Sequence, residues 1–243
     1  MAGIVYNDNI RIDKAGEKVE STAELRIKGK QMPYVSRGGL KLEKAINELN
    51  FDVKDKVMID IGSSTGGFTD CALQNGAKFV YALDVGTNQL VWKLRNDDRV
   101  KVMEQTNFRH SVKEDFDVYD IDIASIDVSF ISLSLILPNL AEIIKDGGEV
   151  CALVKPQFEA GKDKVGKGGI VRDKKVQLEV VEKVLLLANS VGFSMMNLSY
   201  SPITGGEGNI EFLMILKYNA TKEVENKNIN IEHIVNNAHN HFK

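Results

Sequence analysis

The stretch Val57-Met58-Ile59-Asp60-Ile61-Gly62-Ser63-Ser64-Thr65-Gly66-Gly67-Phe68 decides the fold of this chain. Five residues from Val57 to Ile61 run without a break in apolar character apart from Asp60, as a strand buried on both faces does. The glycines that follow let the backbone turn sharply and approach a ligand closely. The spacing is neither G-x-G-x-x-G nor G-x-x-x-x-G-K-[ST], so a pyrophosphate cradle and an ATPase loop are both disfavoured. A helix is expected from Gly67 to Gln74, stopped by Asn75-Gly76. A strand that ends in a glycine turn and opens a helix binds a nucleotide-like cofactor.

Outward from this loop the rhythm is strand, helix, strand, helix. Strands are expected at Phe79–Val85, Val100–Glu104, Ile121–Val128 and Gly148–Val154. Short helices are expected at Gln89–Leu94 and at Leu133–Ile144, the latter interrupted near Pro138. Asp173 caps a helix reaching Val191, with Val176, Val180, Val184 and Leu187 on one face. Phe193–Tyr200 and Ile210–Tyr218 read as an antiparallel pair. Alternating β and α elements imply a parallel sheet with helices on both faces. On the N-terminal side, Gly3–Tyr6 and Glu24–Ile27 are strand-like, with turns at 7–9 and 15–17. Residues 29–33 read as a linker, and Ser36 as the cap of a helix to Leu49. Residues 221–243 are Asn-rich and polar, a frayed or helical tail.

Ligands of such sheets bind at the carboxyl ends of the strands, and Asp60, Asp84, Asp127 and Lys155 all fall there. Asp84 stands 22 positions after Gly62, where an acidic residue can accept hydrogen bonds from both hydroxyls of an adenosine ribose. Lys41, Asp127, Lys155 and Glu211 each lie at the start or end of an apolar run. Singly, each has a plain structural reading as a solvated strand end, a helix cap or a surface pair. Jointly, two lysines and two carboxylates form a site that can orient or deprotonate a weakly acidic hydroxyl. A lysine desolvated beside other cations has a lowered pKa, which suits it to that task. The loop Ala160–Gly169, rich in glycine and lysine, reads as a phosphate-contacting flap.

The chain of 243 residues can hold one sizeable α/β domain and a small appendage. Its net charge of −3 argues against coating nucleic acid everywhere, yet residues 1–44 carry nine Lys+Arg against six Asp+Glu, and residues 155–183 eight against five. Both segments flank the site. Two isolated cysteines, Cys71 and Cys151, fit buried free thiols and a reducing cytoplasm rather than a disulfide framework or a zinc site. No run approaches the roughly 18 apolar residues that span a bilayer. Neither a signal segment nor a basic amphipathic helix supports a cytolysin.

Six segments in order carry a family resemblance: Tyr34–Leu42 (YVSRGGLKL), the glycine loop from Asp60, Ser125–Ile131 (SIDVSFI), Val154–Glu159 (VKPQFE), Gly168–Asp173 (GGIVRD) and Gly208–Leu213 (GNIEFL). On these the chain resembles the TlyA/haemolysin A family of FtsJ-like ribosomal RNA 2′-O-methyltransferases. The resemblance implies an α/β, Rossmann-like S-adenosylmethionine (SAM)-dependent methyltransferase, with a seven-stranded, mostly parallel sheet, helices on both faces and an antiparallel last strand. It implies SAM as donor and ribosomal RNA or ribosomal subunits, at cytidine, as acceptor. It also implies a catalytic tetrad of Lys41, Asp127, Lys155 and Glu211, with Lys155 nearest the reacting hydroxyl. Asp60, Gly62, Ser63, Gly67, Asp84 and Asn107 would hold SAM, with Asn107 near the adenine. Arg37, Lys162 and Lys167 would contact RNA. Residues 1–30 would be the remnant of an S4-type RNA-binding domain, 31–56 a linker and helix, 57–220 the methyltransferase domain and 221–243 the tail. The alternative is a module that keeps the fold and binds RNA or protein without catalysis.

Overall fold

The computed structural model describes residues 5–8, 10–12, 16–27 and 32–243. The chain divides into two units, residues 1–33 and 34–243. The expected strand start at 3–4, the turn residues Asn9 and Ala15, and linker residues 29–31 lie outside the described residues. In the first unit β1 (Val5–Asn7) pairs antiparallel with β2 (Ile10–Arg11) on one side and β3 (Leu25–Ile27) on the other.

The second unit begins with α1 (Gly38–Glu48) and is built on a sheet of β4 (Val57–Ile61), β5 (Phe79–Leu83), β6 (Val100–Met103), β7 (Ile123–Ile126), β8 (Glu149–Val154), β9 (Phe193–Tyr200) and β10 (Phe212–Tyr218). The strand order is β6-β5-β4-β7-β8-β10-β9. β4 pairs in parallel with β5 and β7, and β8 extends the parallel set, whereas β10 runs antiparallel to both β8 and β9. The order reverses at β4, between β5 and β7. That is the switch point where an open α/β sheet leaves a crevice.

Side chains of a strand alternate between faces, and here each face has its own core. Val57, Ile59 and Ile61 of β4 join α4 (Leu137–Ile143), α6 (Lys174–Ser190) and α7 (Ile231–His241) in one cluster, the short α5 (Pro156–Glu159) lying between α4 and α6 in the chain. Met58 of β4 joins Leu42 and Ala45 of α1 and Phe68, Cys71 and Ala72 of α2 (Gly67–Gln74) in the other. Both cysteines are free and fully buried in this second cluster.

Several local expectations change. Ser36 does not cap α1: Arg37 holds the N-cap position in helical geometry, without a side-chain cap. The helix expected at Gln89–Leu94 shrinks to α3 (Trp92–Arg95). Glu104 takes the preceding backbone instead, accepting from the amides of Asn88, Gln89 and Leu90 at 2.8, 2.9 and 3.0 Å. Burial opposes the charge of Glu104, but these amides and Arg95 outweigh it and hold the carboxyl down at about 2. Pro138 sits in the first turn of α4, after a 3-10 turn at Leu133–Leu135, where its missing N–H costs nothing. Asp173 caps α6 by accepting from the Lys175 amide. The polar segment after residue 220 ends in α7, whose Val235 and Ala238 are buried against the sheet's core. Among the described residues, no helix is long and apolar enough to cross a membrane.

Candidate active site

The glycine loop takes the form the sequence requires. Gly62 has φ of +87°, and a Cβ there would stand 2.6 Å from the Asp127 carbonyl oxygen, so only glycine lets the end of β4 lie against the end of β7. Gly67 admits no side chain either, since its Cβ would fall 2.3 Å from Ser36 Oγ. That contact brings α1, and Lys41 on it, over the carboxyl edge of the sheet.

Two cavities open at this edge. The larger, about 900 Å³, is lined by Arg37, Lys41, Gly62, Ser63, Gly67, Asp127, Lys155 and Glu211, with Gly168, Gly169 and Gly205 on its far wall. The smaller, about 370 Å³, is lined by Asp84, Asn107 and Phe108 together with apolar Ile61, Leu83, Val85 and Ile136. They share Gly62, Ser64, Asp127, Ser129 and Phe130.

The four charged residues expected to act together meet in the larger cavity, and Asp127 among them also lines the smaller one. Lys41 Nζ donates to Glu211 Oε2 at 2.8 Å and to Asp127 Oδ2 at 3.4 Å. Lys155 Nζ pairs with Asp127 Oδ1 at 2.5 Å and donates to Ser129 Oγ at 3.2 Å. Lys41, Lys155 and Glu211 are buried. Glu211 precedes Leu213 by two positions and so shares its face, the one α1 covers. Burial alone would strip the charge from Lys41; Asp127 and Glu211 outweigh it and raise the amine above its ordinary value. The lowered lysine expected from the sequence is therefore not Lys41, which stays a cation. Asp127 mirrors it: burial favours the acid, but Lys41 and Lys155 pull the carboxyl below its ordinary value.

Asp84 directly follows β5 and lines the smaller cavity. Its Oδ2 accepts from the Ser64 amide at 2.8 Å and its Oδ1 from the Gly86 amide at 2.7 Å, which ties the glycine loop to the loop after β5. Each carboxylate oxygen keeps a second lone pair for a ligand. A carboxylate at one end and an apolar slot beyond it suit a ribose and its base. Asn107 lines the same slot, with its Oδ1 accepting from the Arg109 amide.

Asp60 departs from expectation. Strand alternation turns it to the face of Met58, under α2, and it lines neither cavity. It is fully buried; Oδ2 accepts from the Thr69 amide at 3.1 Å and Oγ1 at 2.7 Å, and Oδ1 from Ser125 Oγ at 2.9 Å. Asp60 therefore pins the start of α2 to β7 and does not hold a cofactor directly. Burial pushes its carboxyl up to about 6. Lys162 and Lys167 also line neither cavity; they project from the exposed flap whose Gly168 and Gly169 do. Arg37 lines the larger cavity and donates to the Thr204 carbonyl at 3.5 Å.

Sequence reasoning assigned no role to Ser129, Gln157 or Phe130. Gln157 Nε2 donates to Glu211 Oε1 at 3.4 Å. Phe130 stands with φ of +63°, 91% exposed at the shared wall, with its ring 5.0 Å from that of Phe158. All three sit inside the SIDVSFI and VKPQFE segments, so the segments were visible while their side-chain directions were not.

A parallel sheet that reverses order at a glycine turn, followed by an acidic strand end and closed by an antiparallel hairpin, defines the Rossmann-like methyltransferase class. The model of the FtsJ-like methyltransferase family matches residues 34–218, and the chain belongs to that family. YqxC of Bacillus subtilis (strain 168), named as an rRNA methyltransferase, is 56% identical over 218 residues, which is 90% of this chain and 78% of that protein. The 16S/23S rRNA (cytidine-2′-O)-methyltransferase TlyA of Mycobacterium tuberculosis is 37% identical over 235 residues, 94% of this chain and 85% of its own. A solved structure from Streptococcus thermophilus, described as a hemolysin, is 55% identical with a TM-score of 0.87, covering 100% of this chain and 88% of that one.

Proposed function

We propose that this chain transfers the methyl group of SAM to a ribose 2′-hydroxyl of ribosomal RNA, at a cytidine, in the cytoplasm. The observation that carries this reading is the Asp127 carboxylate held between two lysine amines at the wall common to both cavities. The names of the relatives, an rRNA methyltransferase and a cytidine-2′-O-methyltransferase, support the acceptor.

SAM, when bound, supplies an electrophilic methyl on a sulfonium. The residues present fit it: Asp84 for the ribose, Asn107 and the apolar slot for the base, and Gly62, Ser63 and Gly67 for close backbone approach. The larger cavity takes the nucleotide. Lys41, bound to two carboxylates, acts as a fixed cation that holds Glu211 and Asp127 in place. Lys155, with one carboxylate and one hydroxyl as partners, faces the acceptor; as an ammonium it orients the hydroxyl, and it takes the hydroxyl proton once the amine has released its own proton to solvent. Aligning the hydroxyl oxygen with the methyl across a rigid wall contributes much of the gain. The positive flap residues Lys162 and Lys167, with Arg37, reach phosphates around the target. Residues 1–30, read as part of an S4-type domain, assist RNA capture. A binding module without catalysis would have no use for a buried quartet of two amines and two carboxylates.

The test is transfer of labelled methyl from SAM to undermethylated ribosomal subunits. Label in RNA that falls about a hundredfold or more in Lys155→Ala, with SAM binding retained, is the expected result. Label that is indifferent to Lys155 overturns the assignment of the site.

A further inference from the structure

The GGIVRD and GNIEFL segments meet beside the larger cavity, and the charged quartet uses only Glu211 of the two. The loops that lead into them are short of side chains: Gly166, Gly168 and Gly169 build one, Gly205, Gly206 and Gly208 the other. Glycine backbone loses more freedom than any other when it is ordered, so something must hold these loops.

We propose that Asn209 is the positioning residue that joins the two loops into one wall of the acceptor cavity. Its buried side chain is fully engaged. Oδ1 accepts from the Val171 amide at 3.1 Å; Nδ2 donates to the Gly169 carbonyl at 2.9 Å and to the Gly206 carbonyl at 3.2 Å. Its own carbonyl accepts from the Gly205 amide at 2.8 Å. One amide therefore ties residues 169–171 to residues 205–206. The flap tip is closed on itself, since Gly166 N donates to the Ile170 carbonyl at 3.0 Å. Fixing its C-terminal end thus fixes Lys167 as well. Val171 is gripped at its other main-chain group too, because Gln177 Nε2 of α6 donates to its carbonyl at 2.8 Å. Asn209 lies two residues before Glu211, so the same grip sets where the Glu211 carboxylate enters the quartet. Neither loop borders the smaller cavity. The consequence is selective: loss of the amide loosens the acceptor side and leaves donor binding alone. This inference rests on the proposed function for its catalytic half only; the joining of the loops is read separately.

Two measurements on the full chain decide it. Trypsin cleavage after Lys167 reports the flap without reference to activity. Methyl transfer at varied RNA, beside SAM affinity, reports the split between acceptor and donor. In Asn209→Ala, cleavage is expected to quicken and kcat/KM for RNA to fall, each by about tenfold, as loss of buried hydrogen bonds implies, with SAM affinity within about twofold. Unchanged cleavage, or SAM affinity falling in step with transfer, overturns the proposal. If Asn209→Ala does not fold, Gln177→Met releases Val171 from the opposite side, and a smaller rise in cleavage with the same split is expected; no change in either overturns it. If the wild-type chain transfers no methyl to ribosomal RNA, the function reading fails, and cleavage alone decides the joining of the loops.

Discussion

Lys41 and Lys155 are coupled through a single carboxylate: Asp127 gives Oδ2 to the first at 3.4 Å and Oδ1 to the second at 2.5 Å. Neither amine can move without disturbing the other's partner. Asp127→Asn leaves two buried ammonium groups sharing a neutral amide. Removing one partner of a buried pair typically costs about 3–5 kcal/mol, so a fall in thermal midpoint is expected together with loss of transfer. A calorimetric scan beside the methyl assay checks both; a variant of full stability and full activity contradicts the coupling.

Lys41 and Glu211 form the second link, and their interaction is measurable on its own. A double-mutant cycle of Lys41→Met and Glu211→Gln is expected to return a coupling of about 1–3 kcal/mol in stability, the range found for contacting residues in one network. Additive single effects would mean that the 2.8 Å contact carries no energy.

Gly205 stands where a side chain would strike the quartet. A Cβ at this position falls 2.0 Å from Glu211 Oε1. In Gly205→Ala the Glu211 carboxylate must swing away, or the 205–206 turn must shift. The expected outcome is a loss of transfer of about tenfold or more, with overpacking of about 1–3 kcal/mol and unchanged SAM affinity by calorimetric titration. Retained activity would show that Glu211 need not occupy its observed position.

Asp60 sets a pH dependence of stability. Its folded carboxyl lies at about 6, above the ordinary 3.8, because burial disfavours the charge more than Thr69 and Ser125 favour it. The native state therefore holds a proton that the unfolded chain has released between those values. Stability falls as pH rises from about 4 to 6, by at most about 3 kcal/mol. Asp127 acts in the opposite sense: its lowered carboxyl contributes stability above the ordinary 3.8 that is lost as pH falls further. Denaturant unfolding at pH 4, 5, 6 and 7 is expected to show a smaller decline over this range in Asp60→Asn than in the wild type. An identical profile in the two would remove Asp60 as the cause.

The sheet was legible because its strands are continuous apolar runs. Val57–Ile61, Gly67–Gln74 and Phe193–Tyr200 begin and end where the sequence places them. The quartet was legible too, since all four residues lie at strand ends or on the helix that covers them. What could not be read is direction and distance. The apolar run gives no sign that Asp60 faces α2 while Asp84 faces a cavity; only the register of alternation within a placed strand separates them. The helix expected at Gln89–Leu94 gave way to a carboxylate fifteen positions further along the chain that claims its amides. The polar stretch after residue 220 hides a few apolar side chains, of which Val235 and Ala238 suffice to dock α7.

The five residues shared by the two cavities have a consequence for chemical design. Gly62, Ser64, Asp127, Ser129 and Phe130 form a partition that borders both compartments. Much of it is main chain, pressed against itself where Gly62 meets the Asp127 carbonyl. On the function proposed above, a single small molecule with a short tether would occupy both compartments at once, an adenosine-like half on one side and a nucleotide-like half on the other. Resistance to such a bisubstrate inhibitor by enlarging a side chain is constrained at Gly62, because any Cβ there collides with the backbone that carries Asp127.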